Sequence, residues 1–413
     1  MHRNNLLPRG HSVYAANQVV NLSFFAILLC ASPVSSQDIP GPGSRADVIR
    51  HLSIYESPSE YCAWPSVART SGGDLIVLFT RTEEHLGPNG AILLSLSTDN
   101  GKTWLQPIVL LDTPIDDRES GITTLRDGRI VGHFWSTFWT KESYERLAPN
   151  SYGHNLLDKW IATVGQREYR DAKRNSGAST SVSSDGGRTW LKLARGHDSV
   201  HGGIELETGG LLLASYRESP DSIKVNVADS VSGPWRHLAT IVSPHPKSLS
   251  FGEPHLLQLR GGRVIMMIRA TARPYNDRDP RCVLWESYSD DMGKTWAPPF
   301  ATSLWGFPPH LALLADGRVL CTYGYRRTPY GERACLSDDG VHWSLKDEVV
   351  LRDDAPNGDL GYPASIELDR GIVLTVYYQP NVPPGTIQHM DPPDPHRTKP
   401  GILGTIWKVP PAR

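Results

Sequence analysis

The sequence predicts an all-β protein, a six-bladed β-propeller made of four-stranded antiparallel blades. Three observations carry that expectation. A hairpin unit recurs six times, a glycine-bearing turn motif recurs between hairpins, and strand-like segments flank the whole array.

The hairpin unit reads as an apolar alternating run, a glycine turn and a second apolar run. Pro65, Ser120, Gly202, Pro254, Pro309 and Pro363 each lie eight residues before a turn glycine: Gly73, Gly128, Gly210, Gly262, Gly317 and Gly371. Glycine suits that place because tight turns demand positive φ. Successive starts are 55, 82, 52, 55 and 54 residues apart. The long interval holds a polar surplus around 141–175, expected as a loop or lid in the second blade rather than a separate domain.

Between hairpins, STDNGKTW, SSDGGRTW and SDDMGKTW share the pattern S-x-D-x-G-x-T-W. LSDDGVHW keeps Asp338, Gly340 and Trp343, and ADSVSGPW is a worn copy with Asp229, Gly233 and Trp235. An Asp that accepts turn N–H groups, a Gly that bends and a Trp that packs between blades would close a second hairpin per unit. Repeated turn aspartates therefore read as structural. ADVIRHLSIYES and GILGTIWKVP are the strand candidates for ring closure.

The chain has 413 residues, 21% charged and 39% hydrophobic, with a net charge of −2. It carries no basic footprint for nucleic acid and no acidic tail. Basic residues, the apolar run Leu22–Ala31 and small residues up to Ser36 read as a signal peptide over 1–36. The rival reading is an uncleaved anchor. Removal would leave a propeller over 37–413, secreted or periplasmic, with no membrane span. It would also leave Cys62, Cys282, Cys321 and Cys335, whose spacing shows no metal signature. They read as free and buried.

Function is expected where the repeat stops being structural. The position before each hairpin start reads Trp64, Glu119, His201, Glu253, Pro308 and Tyr362, a ring around one mouth of a propeller. His255 and His310 come next along. Fifteen residues past two of the starts stand Arg217 and Arg269, expected near His201 and Glu253 respectively.

These features resemble the bacterial sialidase (neuraminidase) superfamily with Asp-box (BNR) repeats, over nearly the whole mature chain. FGEPHLLQLRGGRVIMMIR is similar to the family segment that supplies a Glu and a clamp Arg, and GDLGYPASIELDRGIVLTVYY to the one that supplies a tyrosine nucleophile. The resemblance implies a retaining exo-α-sialidase-like hydrolase without cofactor or metal, cleaving terminal acidic sugars from glycans. In it Tyr362 is the nucleophile, Glu253 its base and Arg269 a carboxylate clamp. A neutral phenol avoids the repulsion that a carboxylate nucleophile would meet beside the sugar's own carboxylate. An arginine's planar fork fits that carboxylate with two bonds.

The family's acid/base sits on the loop after the first hairpin, here RTEEHLGPNG, which implies Glu84, with Glu83 and His85 behind it. The family uses Asp there. The third clamp arginine is implied at Arg333, with Arg326 close behind. The family's first clamp arginine falls on Ala63 and is missing unless Arg81, Arg118 or Arg217 replaces it. Glu119 and Arg118 are additional mouth groups. The departure at Ala63 keeps other readings open: a different acidic or pentose sugar, a uronate lyase using Tyr362, His201 or His255, or a carbohydrate-binding propeller that does not cleave.

Overall fold

The computed structural model describes residues 43–147, 155–381 and 399–412, apart from 192 and 232. The expected signal peptide lies outside them. Six antiparallel sheets follow one another around an axis. The blade order is simple: each hairpin unit gives the inner strands of one blade. Blade 1, for example, runs Tyr61–Arg69, Leu75–Thr82, Ala91–Ser97 and Ile108–Leu111.

Closure uses both ends of the chain in one sheet. Asp47–Tyr55 pairs antiparallel with Pro400–Lys408, which pairs in turn with Ile372–Pro380 of the sixth hairpin. Ser44–Arg45 adds a short parallel fifth strand to blade 5. Neighbouring sheets then pack face to face through apolar clusters, such as Leu75, Val77 and Phe79 of blade 1 against Leu374, Val376 and Tyr378 of blade 6. Burying each such side chain contributes roughly 1.5–3 kcal/mol.

The inner turns of blades 1 to 5 share one bond pattern, whereas in blade 6 the Gly371 N–H donates to the Glu367 carboxylate at 2.7 Å. In blade 1 the Gly73 N–H donates to the Thr70 carbonyl at 3.0 Å and the Thr70 N–H to that of Asp74 at 2.8 Å. Gly73 has φ 93°, and a Cβ added there would meet nothing within 4 Å. Its requirement is conformational, not spatial. In blade 3 the same pattern belongs to Gly209, which donates to Leu206. Counting from Gly210 is therefore one residue out there: two successive glycines, φ 85° and 81°, hide the phase.

The Asp-boxes are turns at the same end as those glycines, away from the loop 83–90. Asp99 accepts from the Thr103 N–H at 2.9 Å and the Thr103 hydroxyl at 2.6 Å, and the Ser97 hydroxyl accepts from Gly101. Bonds from Thr103 draw the Asp99 carboxyl down to about 2. Asp185 and Asp291 repeat this arrangement. In the fourth copy the aspartate is Asp339, not Asp338. Ser337 is retained, one residue is deleted, and His342 stands where Thr stood. Trp104, Trp190, Trp296 and Trp343 pack onto inter-blade clusters.

Between the second and third strands of blade 2 run three short helices, Lys141–Leu147, Leu156–Val164 and Gln166–Asp171. Residues 148–154 of that stretch lie outside the described residues. Tyr144, Leu157 and Tyr169 form a small core with Ile115 and Trp139, against which Leu86 packs. The Tyr144 hydroxyl donates to the Leu86 carbonyl at 2.7 Å. The helices thus hold the loop 83–90 from outside.

Gly73→Ala places a side chain at positive φ and is expected to cost about 1 kcal/mol, read as a lowered Tm. Gly72→Ala, at ordinary φ with only one 3.6 Å contact, is expected to leave Tm within error.

Candidate active site at the propeller mouth

Four inner strands carry the same irregularity. Register shifts fall between Ala63 and Ser66, Arg118 and Ser120, Gly252 and His255, and Gly361 and Ala364. At each one a non-glycine residue takes positive φ: Trp64 at 55°, Glu119 at 52°, Glu253 at 45° and Tyr362 at 50°. Such bulges bend a strand and re-aim one side chain. They leave an indole, two carboxylates and a phenol in one neighbourhood.

Tyr362 and Glu253 meet directly. The phenol donates to Glu253 Oε1 at 2.5 Å, and Arg269 Nη1 donates to Oε2 at 2.7 Å. Burial alone would raise the Glu253 pKa, but Arg269, the Tyr362 bond and Arg326 outweigh it and hold the carboxyl below its ordinary value. Burial first, then the Glu253 charge, push Tyr362 well above the ordinary phenol range. At neutral pH the pair is a neutral phenol against a carboxylate.

Arg269 and Arg326 both lie over the Phe307 ring, at 4.4 and 5.5 Å from its centroid. Arg326 donates to the Leu360 carbonyl at 2.9 Å and to the Tyr378 hydroxyl at 3.4 Å. Arg333 is elsewhere: it is buried in blade 5, 4.4 Å from the Tyr325 ring and 4.0 Å from Glu348. Arg326, not Arg333, acts on the charges of Tyr362 and Glu253.

Among the described residues no third arginine joins those two. Ala63 is buried and Trp64 follows it, with Arg118 lying 4.7 Å over the indole. Arg118 pairs with Asp116 at 2.7 Å. Arg81 faces Glu60 at 3.6 Å. Arg217 does not pair with His201 but with Glu119 of the preceding blade, with Asp198 4.0 Å away. Burial pulls the Arg217 pKa down to about 9, which leaves it charged at neutral pH. Tyr216 also donates to Glu119, at 3.0 Å. A phenol–carboxylate–guanidinium set is therefore present twice around the mouth, and Glu253 and Tyr362 act electrostatically on Tyr216.

The loop 83–90 brings His85 rather than its glutamates to the aromatic wall. Glu84 is bound by Lys399 at 3.0 Å, and Glu83 accepts from Asn89 at 3.3 Å. His85 stands edge-on to Trp64, centroids 5.4 Å apart, and its Nδ1 is 2.6 Å from the Tyr61 hydroxyl and 3.2 Å from Asp359 Oδ1. Asp359 also accepts from Tyr61 at 2.8 Å and from Tyr378 at 3.1 Å.

His201, His255 and His310 cluster beside Tyr362. His255 and His310 stack at 4.3 Å, and His201 lies 5.3 and 5.2 Å from them. His255 Nδ1 accepts the Leu311 N–H at 2.8 Å, and His310 Nδ1 accepts that of Ser365 at 3.3 Å. That fixes the neutral proton of both on Nε2, where a metal would need a lone pair. Among the described residues no three His, Cys, Asp or Glu are placed to hold a metal ion.

Sequence counting left out Tyr378, although it stands at the place in blade 6 that Arg269 occupies in blade 4. Asp359, Tyr61 and Phe307 carry no repeat signal, because they reach the mouth from strand ends and loops.

A family model described as a BNR repeat-like domain matches residues 160–375, just over half of the chain. The chain belongs to the BNR repeat-like family. Its structural relatives include a protein of unknown function from Dyadobacter fermentans, 23% identical, with TM-score 0.68 over 90% of this chain and 100% of that one. A mutant of the NanB sialidase from Streptococcus pneumoniae is 13% identical, with TM-score 0.58 over 87% of this chain and 70% of that one. An α-L-arabinanase from Penicillium chrysogenum is 11% identical, with TM-score 0.52 over 88% and 98%. No curated protein matches. This BNR-repeat chain thus has the sialidase-type propeller fold. Among its described residues no helix is long and apolar enough to cross a membrane.

The His255 imidazole is drawn down by burial to about 3, against 6.5 when unfolded. Its folded pKa is depressed, so the unfolded state takes up the proton first as pH falls, and stability is lost below about 6.5. Replacing the imidazole removes that loss. Thermal melts of His255→Gln from pH 7 to 5 should show a decline smaller than wild type by about 2 kcal/mol; equal declines would contradict the assignment.

Proposed function

We propose that the protein is a retaining exo-glycosidase that acts through Tyr362 on a terminal acidic sugar of a glycan, exported with its expected signal peptide over 1–36 removed. The observation that carries this is the buried Tyr362–Glu253 bond, with Arg269 on the far carboxylate oxygen.

The chemistry follows from those charges. As the Tyr362 oxygen bonds to the anomeric carbon, its proton passes to Glu253, so no phenolate need exist beforehand. Burial keeps the resting phenol neutral, and a neutral nucleophile does not repel a substrate carboxylate. Arg269 and Arg326, aligned by Phe307, supply a two-armed clamp for that carboxylate. The low pKa of Glu253 makes it a weak base in the ground state. Substrate binding shares the charge of Arg269 between two carboxylates and so strengthens the base.

A second reading changes the sugar. Ala63 leaves the clamp one arginine short of the family pattern, and Glu119, held by Tyr216 and Arg217, offers an acceptor for sugar hydroxyls on the other wall. Arabinosides, rhamnosides and uronates therefore belong beside sialosides in any substrate panel.

Fluorogenic glycosides of those classes, with ultraviolet detection of unsaturated uronates, test the proposal. Release of the fluorophore by wild type should fall at least about 10³-fold in Tyr362→Phe. Unsaturated product without glycoside release would assign a lyase, and glycan binding without turnover a lectin-like propeller.

The sign of one pH effect is fixed. Glu253 must be ionised to act, and Arg269 is the main charge that holds its pKa down. In Arg269→Met burial is left dominant, so the acid limb of the kcat/KM profile should move to higher pH. An unmoved limb would contradict Glu253 as the base.

A further inference from the structure

The loop expected to supply the acid/base delivers no free carboxylate. Glu84 is bound by Lys399, Glu83 accepts from Asn89, and the side chain that turns inward is His85. Its Nδ1 faces only oxygens, those of Asp359 and Tyr61. Asp359 is held ionised, because His85, Tyr61 and Arg326 outweigh the effect of its burial. A carboxylate 3.2 Å from Nδ1 keeps a proton on that nitrogen and leaves Nε2 as the exchangeable site. The His85 side chain is 38% exposed, and no hydrogen bond engages Nε2 among the described residues.

Position agrees with that role. His85 and the nucleophile border the same aromatic wall: Trp64 lies 5.4 Å from His85 and 6.4 Å from Tyr362, and Tyr378 lies 6.0 Å from Tyr362. The backbone is pinned as well. Arg118 donates to the His85 carbonyl at 2.8 Å, and Tyr144 of the helical segment to that of Leu86 at 2.7 Å.

The geometry points to His85, oriented by Asp359, as the general acid/base of the reaction, in place of a carboxylic acid. This rests on the glycosidase reading above. In the first step the imidazolium gives its Nε2 proton to the departing glycosidic oxygen as the bond to the anomeric carbon breaks. The Tyr362 oxygen takes that carbon and Glu253 takes the phenol proton. In the second step neutral Nε2 takes a proton from the attacking water, and Tyr362 leaves with the proton returned by Glu253. Both protons are accounted for, and no co-reactant beyond water is needed. The groups facing the imidazole are Tyr61 from blade 1, Asp359 from the sixth blade, and Arg118, through the backbone, from blade 2.

General acids matter most for poor leaving groups, which separates this role from a structural one. Wild type, His85→Gln, Asp359→Asn and Glu84→Gln should be compared on one glycone with 4-nitrophenyl and with alkyl leaving groups, with Tm as a check on folding. For His85→Gln a loss of about 10²–10⁴-fold is expected on the alkyl glycoside and under 10-fold on the nitrophenyl one, with the basic limb of the pH profile abolished. Asp359→Asn should show the same leaving-group pattern with a smaller loss. Equal losses on both substrates, or the leaving-group pattern in Glu84→Gln instead, would overturn the assignment and leave the glycosidase reading intact. Failure of wild type to cleave either glycoside would overturn both.

Discussion

Everything at the mouth depends on four bulges in the inner strands. Each forces a non-glycine residue to positive φ, at a cost of roughly 1–2 kcal/mol. The ladder resumes on the far side of each shift, as with His255 against Met267 and Ala364 against Val376. Buried faces below hold that register, since a slip of one residue would exchange the core and solvent sides of the strand. The strain is thus localised at Trp64, Glu119, Glu253 and Tyr362, and it aims them at one another. Once aimed, a buried carboxylate needs partners. Tyr362 and Arg269 supply them at one Glu, Tyr216 and Arg217 at the other.

Much of this was legible in the sequence because a propeller writes its geometry as a period. A shared turn glycine sets the phase, and counting from it puts Glu253, Arg269 and Tyr362 on one rim. Blade 3 shows where that method fails. With Gly209 adjacent to Gly210 the count is ambiguous by one, and Arg217 was expected beside His201 when its partner is Glu119 on the neighbouring blade. The fourth Asp-box fails for a related reason. A one-residue deletion shifts the accepting aspartate to Asp339, and only the bonds to His342 and Ser337 reveal it.

Other groups were not legible because their contacts do not repeat. Phe307 aligns two arginines from different blades, and Asp359 gathers Tyr61, His85 and Tyr378 from three separate segments. Arg326 and Arg333 are the same residue type, seven residues apart. The choice between them is made by which strand end faces the axis, which spacing does not encode. The helical segment in blade 2 likewise gave only a length, whereas its effect is to brace the loop that carries His85.

The central claim is that Tyr362 bonds covalently to the sugar during turnover. It is tested most directly by mass spectrometry of protein quenched with a fluorinated, slowly hydrolysed analogue of whichever glycoside is cleaved. The account predicts one glycosyl adduct, on the peptide containing Tyr362, that forms and decays at rates consistent with turnover. An adduct on any other residue, or turnover with inverted anomeric configuration and no adduct, would contradict it.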